Sequence, residues 1–481
     1  MGILIARAFC LLPACLTGGC LLLAFSPPLA FGTGAVLSFS WGFEPNQASA
    51  RVGSAVSSAG DVNGDGYTDL LIGASGHTTT FSGEGRAMLF AGSATGLKSS
   101  PAWIRDGGQA GAGLGSSLAA AGDVNGDGYD DVVVGAPSFE RTSEGSSLRD
   151  EGLVQLFYGS SQGLSGEPAW SITSGQSNAY LGTAVAGTGD LNGDGYADVA
   201  IGLPYWESSD YETNEGAVWV FLGSAVGPGL EPDWRFEGTQ ENGYLGQSLS
   251  GAGDLNGDGH FDLVVGAYRY DAPEIDGGAA LVFFGGPLPG LPLQTDSRLL
   301  TVEQSGAYFG GSVAPAGDVD QDGFADLLIG AYRYDEADLD VGGAFLFRGD
   351  RDGISALWSW HTTSSQYQGY WGHRVAGAGD LDRDGFPDLL VGSMFFDDGQ
   401  ESEGQVALYS ASSAGVASSP SWIGQPNLAG AQYGAALAPM GDTDGDGCGE
   451  IAIGAPGYSA PESSEGRVYL YSSHMSDRDG D

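Results

Sequence analysis

The sequence predicts an all-β fold: a seven-bladed β-propeller of four-stranded blades, its ring closed by an N-terminal strand that completes blade seven. Three observations predict it. An acidic nonapeptide, D-x-(D/N)-x-D-G-x-x-(D/E), occurs seven times, starting at Asp61, Asp123, Asp190, Asp254, Asp318, Asp380 and Asp442, so that successive copies lie 62, 67, 64, 64, 62 and 62 residues apart. Each copy is embedded in four short apolar segments bounded by glycine, which is the signature of one small sheet per repeat. Finally, 84 of 481 residues are glycine while 42% are hydrophobic, a composition of many strands and turns rather than of disorder.

Residues 1–30 carry one charge, Arg7, between apolar stretches and end in Ser26-Pro27-Pro28-Leu29-Ala30. The expectation is a secretory signal cleaved near Ala30, with residues 31–475 as the propeller and 476–481 as an acidic tail. A membrane anchor is the alternative for the leader, and lipidation at Cys20 within Leu16-Thr17-Gly18-Gly19-Cys20 is another; the apolar run after Cys20 disfavours lipidation. Of four cysteines only Cys448 lies beyond the leader, so no intramolecular disulfide is expected. No later stretch of about 18 apolar residues suggests a membrane span.

Within a repeat, a strand of small residues enters the acidic loop and a β-branched strand such as Asp131–Gly135 leaves it. A third strand follows at Gly85–Phe90, Gly152–Gly159, Gly216–Phe221, Gly278–Phe284, Gly343–Phe347, Gln405–Tyr409 and Arg467–Tyr471. The fourth runs near Trp103, Trp170, Trp234, Trp358 and Trp422, tryptophans expected in the core between stacked sheets rather than as binding platforms. The seventh repeat stops after its third strand, whereas Val36–Trp41 is a strand without a blade. Pairing the two would close the ring and bury a sheet edge.

The loops have the spacing of calcium ligands. Oxygens at positions one, three and five converge on a cation, position seven gives a backbone carbonyl, position nine adds a carboxylate, and glycine at position six permits the turn. Position three is Asn63, Asn125, Asn192, Asn256, Asp320, Asp382 and Asp444; position five is Asp65, Asp127, Asp194, Asp258, Asp322, Asp384 and Asp446. Position seven is Tyr67, Tyr129, Tyr196, His260, Phe324, Phe386 and Cys448, whose side chains should point away; position nine is Asp69, Asp131, Asp198, Asp262, Asp326, Asp388 and Glu450. Hard oxygen ligands favour Ca2+ over zinc, copper or magnesium, with up to seven structural ions; Asx turns without metal are the alternative. Aspartate rather than asparagine at position three predicts tighter binding in loops five to seven than in loops one to four.

Acidic residues outnumber basic ones 61 to 17, a formal charge of −44 that repels nucleic acid and anionic lipid. The loops account for much of it. The longest insertions, Ser138–Glu151 and Tyr205–Glu215, offer Glu140, Arg141, Tyr205, Trp206 and Tyr211 as candidate ligand-binding residues. Arg348-Gly349-Asp350 and Gly159-Ser160-Ser161-Gln162-Gly163 spell known short motifs but fall in hairpin turns, and neither is assigned a role. No metalloprotease, P-loop or dinucleotide fingerprint is present.

These repeats resemble the FG-GAP repeats of the integrin alpha-chain head, legible in Phe309-Gly310 before a loop and Gly135-Ala136-Pro137 or Gly454-Ala455-Pro456 after one. The pattern drifts to Leu181-Gly182, Trp371-Gly372 and Tyr433-Gly434 elsewhere. The resemblance implies a seven-bladed propeller and calcium-dependent adhesion or recognition. Integrin heads carry such loops in only some blades, and their stalk and membrane span have no counterpart here. The expectation is a stand-alone secreted or cell-surface monomer that binds a protein or glycan without catalysis. A hydrolase of polysaccharide or phosphoester with structural calcium is the alternative, as is a piece of a longer chain continuing past Asp477–Asp481.

Overall fold

The computed structural model describes residues 36–143, 146–208, 213–287, 297–336 and 339–474. The leader with Cys20, the tail from 476 and Tyr211 lie outside the described residues. Everything described is strand or turn, in seven four-stranded antiparallel sheets and one small hairpin, Arg141–Ser143 with Ser146–Leu148. No helix among the described residues is long and apolar enough to cross a membrane.

Six blades use four consecutive strands each; the seventh combines Ala436–Gly441, Glu450–Ala455 and Arg467–His474 with the N-terminal strand Val36–Phe43. Val36–Phe43 pairs antiparallel with Arg467–His474, from Val36 opposite His474 to Phe43 opposite Val468. The first strands of the blades pack on one another around the axis, the seventh against the first. Seven isolated parallel bridges join neighbouring blades, from Gly85 with Leu114 round to Gly466 with Val52. The predicted closure is therefore present in both sheet and ring.

The second strands, Asp69–Ala74 and its six counterparts, are buried at every residue. Sandwiched between neighbouring blades, they need apolar side chains on both faces, which explains runs such as Asp131-Val-Val-Val-Gly-Ala rather than alternation. Tryptophans fix the blade interfaces. Trp103 meets Phe157 of the next blade edge to face at 4.8 Å, Trp170 meets Phe221 at 4.8 Å, Trp234 meets Phe283 at 5.2 Å and Trp422 meets Tyr471 at 5.0 Å. Trp41 on the N-terminal strand meets Phe90 of blade one at 5.0 Å, so it plays the same part for blade seven. Each such pair adds about 1 kcal/mol beyond area burial.

One core assignment is corrected. Trp358 is 44% exposed. A bulge in blade five places Trp360 opposite Leu346, the register that Trp103 holds opposite Leu89, and Trp360 packs on Tyr409 at 5.1 Å. The extra residue rotates Trp358 outward.

A glycine at the end of each first strand directs the chain into its loop. At the loop end, every first strand finishes in a glycine paired with the position-nine residue across a bulge, as in Gly122 with Asp131, where φ is 73°. A side chain there would be strained, so glycine launches each loop. The other ends of the same strands, with the described parts of both long insertions, form the opposite face.

Candidate metal centre

The position-one aspartates organise the loops. Asp190 accepts the N–H of Asp194 at 3.0 Å on one oxygen and of Gly195 at 2.7 Å on the other, and Asp123, Asp254, Asp318 and Asp380 repeat this. Each position-five carboxylate accepts the N–H of position seven, from Tyr67 to Asp65 at 3.1 Å through Cys448 to Asp446 at 2.6 Å. These bonds curl the backbone so that its acidic side chains share one concave side.

Position nine is the first residue of the second strand and is buried in all seven loops, with Asp69, Asp131, Asp198, Asp262, Asp326 and Asp388 at 0% exposure and Glu450 at 1%. In Asp198 one oxygen accepts the Leu191 N–H at 2.9 Å, inside its own loop, and the other accepts Gly223 N–H at 2.9 Å, just past the third strand. The carboxylate thus welds loop to blade. Burial pushes each of the seven up to about 7, against the opposing pull of those backbone N–H groups. A nearby cation would reverse that shift.

In three loops carboxylate oxygens lie within 4.8 Å of one another: Asp318, Asp320 and Asp326; Asp380, Asp382 and Asp384; and Asp442, Asp444 and Asp446. In loops two to four, position three is asparagine, and its amide donates to position five, as Asn125 does to Asp127 at 3.0 Å. Within the loops, two buried acidic oxygens, Asp320 Oδ1 and Glu450 Oε1, have no hydrogen-bond partner among the described residues. Oxygen-only donors, buried carboxylates and orphaned acceptors fit a hard divalent cation, which positions one, three and five, the position-seven carbonyl and position nine would hold.

The position-seven rings pack between neighbouring loops. A Cβ on Gly64 would lie 2.8 Å from the Tyr129 ring, and Gly126, Gly193, Gly257 and Gly445 meet Tyr196, His260, Phe324 and Tyr67 in the same way. Each of these five rings, His260 included, therefore lies on the position-four glycine of the preceding loop. Adjacent loops are also joined by backbone bonds from position eight to position one: Thr68 N–H to Asp442 O, Asp130 to Asp61, Ala197 to Asp123, Phe261 to Asp190 and Ala325 to Asp254. Position eight of loop six is Pro387, which has no N–H. There the Gln321 amide donates to Gly385 O at 2.6 Å, and between loops six and seven Arg383 donates to Asp446 O at 3.2 Å.

Arg348 of the Arg-Gly-Asp tripeptide forms an ion pair with Asp320, position three of loop five, while Gly349 N–H donates to Asp326 at 3.0 Å. The tripeptide is built into the fifth loop. The candidate ligand-binding residues are dispersed. Glu140 is clamped through its backbone to the Gln109 amide at 2.6 and 2.7 Å, Arg141 pairs with buried Glu151 at 3.2 Å, and Trp206 packs on Trp219 at 5.5 Å. The Gln109 clamp recurs at Gln47, Gln176, Gln240, Gln304 and Gln366, each gripping the residue 31 positions on, so Glu140 sits in a structural motif.

Tyr205 belongs to something the sequence reading missed. On the face opposite the loops, Tyr180, Tyr205, Tyr244, Tyr268, Tyr308, Tyr332, Tyr370 and Phe395 follow one another at centroid distances of 5.0, 5.2, 5.4, 5.4, 5.5, 6.2 and 5.7 Å. This half-buried arc spans blades three to six. Arg269 lies over Tyr244 and Tyr308, and Arg333 over Tyr308.

Comparison with known proteins matches the FG-GAP repeat model at residues 52–87, 114–147, 181–221, 245–283, 309–347, 371–409 and 433–471. Integrin alpha-5 of Xenopus laevis is 32% identical over 229 residues, 46% of this chain and 20% of the relative. Integrin alpha-IIb of Mus musculus is 39% identical over 149 residues, 30% and 14% of the two chains, and integrin alpha-PS2 of Drosophila melanogaster 36% over 168 residues, 33% and 12%. The matched segments thus span a fifth or less of these relatives. The solved structure of BBS1N in complex with ARL6DN shares the fold, with a TM-score of 0.52 at 10% identity over 92% of this chain and 98% of that one. Seven matched repeats, one per blade and each carrying its acidic loop, make this chain a member of the FG-GAP repeat family, similar to integrin alpha chains.

Proposed function

We propose that the protein is a secreted, calcium-stabilised recognition module that binds a protein or glycan on the face opposite its acidic loops. The division of labour between the two faces carries this reading. All seven loops occupy one face and are tied to the blades and to one another, which suits a structural role for Ca2+. The opposite face holds the aromatic arc, the two guanidinium groups against it and the long insertions, where half-exposed aromatic surface favours recognition. Similarity to integrin alpha chains supports a non-enzymatic module. A hydrolase would need a carboxylate pair in a pocket; the seven carboxylates pushed to about 7 all belong to the loops.

The test is binding of the calcium-loaded chain to arrays of glycans and extracellular proteins, repeated with Tyr244→Ala/Tyr308→Ala. The expected result is binding lost in the double variant with its melting temperature nearly unchanged. Binding that survives the double variant would place recognition elsewhere. Secretion is checked separately by sequencing the mature N-terminus, expected just after Ala30.

A further inference from the structure

The ring surrounds an open axial cavity of about 240 Å³, lined by the starts of the first strands, with Ser54, Ser116, Thr183, Gln247 and Arg374 among its polar residues. Arg374 pairs with Gly392 at the end of its strand farthest from the sixth acidic loop, so the cavity lies toward the aromatic arc. The preceding residue, His373, touches that arc through Tyr332 at 5.4 Å and Phe395 at 6.2 Å.

The charge balance of this cavity opposes that of the chain. Against 61 acidic and 17 basic residues overall, no carboxylate among the described residues lines the cavity, and Arg374 is the one charged side chain among them that does. Most other buried or half-buried arginines, such as Arg86, Arg269 and Arg333, have an aspartate partner. Arg374 has none among the described residues. Its Nε donates to Ala435 O at 3.0 Å and Nη1 to His373 O at 3.4 Å, which fixes the guanidinium across the junction of blades six and seven. A guanidinium has five N–H donors, so three have no acceptor among the described residues. The surrounding neutral groups also retain donors: Ser54 Oγ accepts the Ser75 N–H at 3.2 Å and keeps its own proton, and the Gln247 side-chain amide lines the cavity without a hydrogen-bond partner among the described residues. Burial holds the Arg374 guanidinium below its usual range. Arg374 is half-buried and lacks an acidic partner among the described residues, so an anion in the cavity would complete its pairing.

We propose that the axial cavity is a binding site for a carboxylate, anchored by Arg374 and completed by the Ser54 hydroxyl and the Gln247 amide. A planar guanidinium with free parallel donors matches a carboxylate bidentately. The cavity volume admits a small acid or the tip of an acidic side chain or sugar. The site goes beyond the recognition reading and stands whether or not the opposite face binds a macromolecule.

Isothermal titration of the calcium-loaded chain with acetate, N-acetyl-aspartate amide and glucuronate tests it. One site is expected, weakened at least about tenfold in Arg374→Gln and much less in Arg374→Lys; the tighter of the two larger probes identifies the source as peptide or sugar. Gln247→Leu should weaken the same site about threefold and serves if Arg374→Gln does not fold. Absence of binding by all three probes, or equal affinity in Arg374→Gln and the parent chain, would overturn the proposal.

Discussion

The two faces of the ring obey different rules of repetition. On the loop face the same aspartates and the same lateral bonds return blade after blade, and where one bond is impossible a side chain restores it, as Gln321 does beside Pro387. On the opposite face the residue just before the x-Gly that leads into the first strand is Tyr180, Tyr244, Tyr308 and Tyr370 in blades three to six, but Arg51, Gly113 and Gln432 in blades one, two and seven. The difference teaches where closure constrains sequence. Every blade must hold its neighbours at the loops, whereas the other face can vary from blade to blade and take on a specific task.

Variants that break this contrast should be ordered by how much of the loop face they disturb. Deleting Val36–Phe43 removes the fourth strand of blade seven together with the Trp41–Phe90 contact, and cooperative unfolding should be lost; an unchanged melting temperature would contradict the closure. Asp198→Ala strips acceptors from two buried N–H groups, those of Leu191 and Gly223, and should cost about 3 kcal/mol in chemical denaturation. Gln321→Ala and Arg383→Ala each sever one lateral link and should cost about 1 kcal/mol; a null effect in both would make the side-chain links incidental.

The smallest effect sharpens the comparison within the loop face itself. Loops five to seven all have aspartate at position three, but Arg348 already neutralises Asp320 in loop five. Tighter calcium binding is therefore expected in loops six and seven, and Arg348→Ala should strengthen loop five alone by roughly fivefold in a site-resolved titration. A change spread over several loops would argue against local competition.

The ring, its closure and the acidic loops were legible because each is written as a period: a ligand pattern every 62 to 67 residues and a strand at each chain end that lacked a partner. Blade position also identified Trp103, Trp170, Trp234 and Trp422 as core, but Trp358 misled because a single bulge residue in blade five exchanged its place with Trp360. The glutamine clamps and the tyrosine arc carry periodic signals too, Gln47 through Gln366 and Tyr180 through Tyr370, yet neither residue type announces its role alone. Glutamine mimics a peptide group only when a backbone edge faces it, and tyrosines become an arc only when blades bring them within ring contact. Arg374 was invisible for a related reason: one arginine acquires meaning from the cavity that seven strands enclose.

Thermal unfolding of the chain across a calcium titration, with magnesium as control and calorimetric counting of sites, tests the central claim most directly. A cation at about a hundred times its dissociation constant adds roughly 2.7 kcal/mol per site. The account predicts a large, calcium-selective rise in melting temperature with about seven sites. No rise, or an equal rise with magnesium, would contradict a calcium-stapled ring.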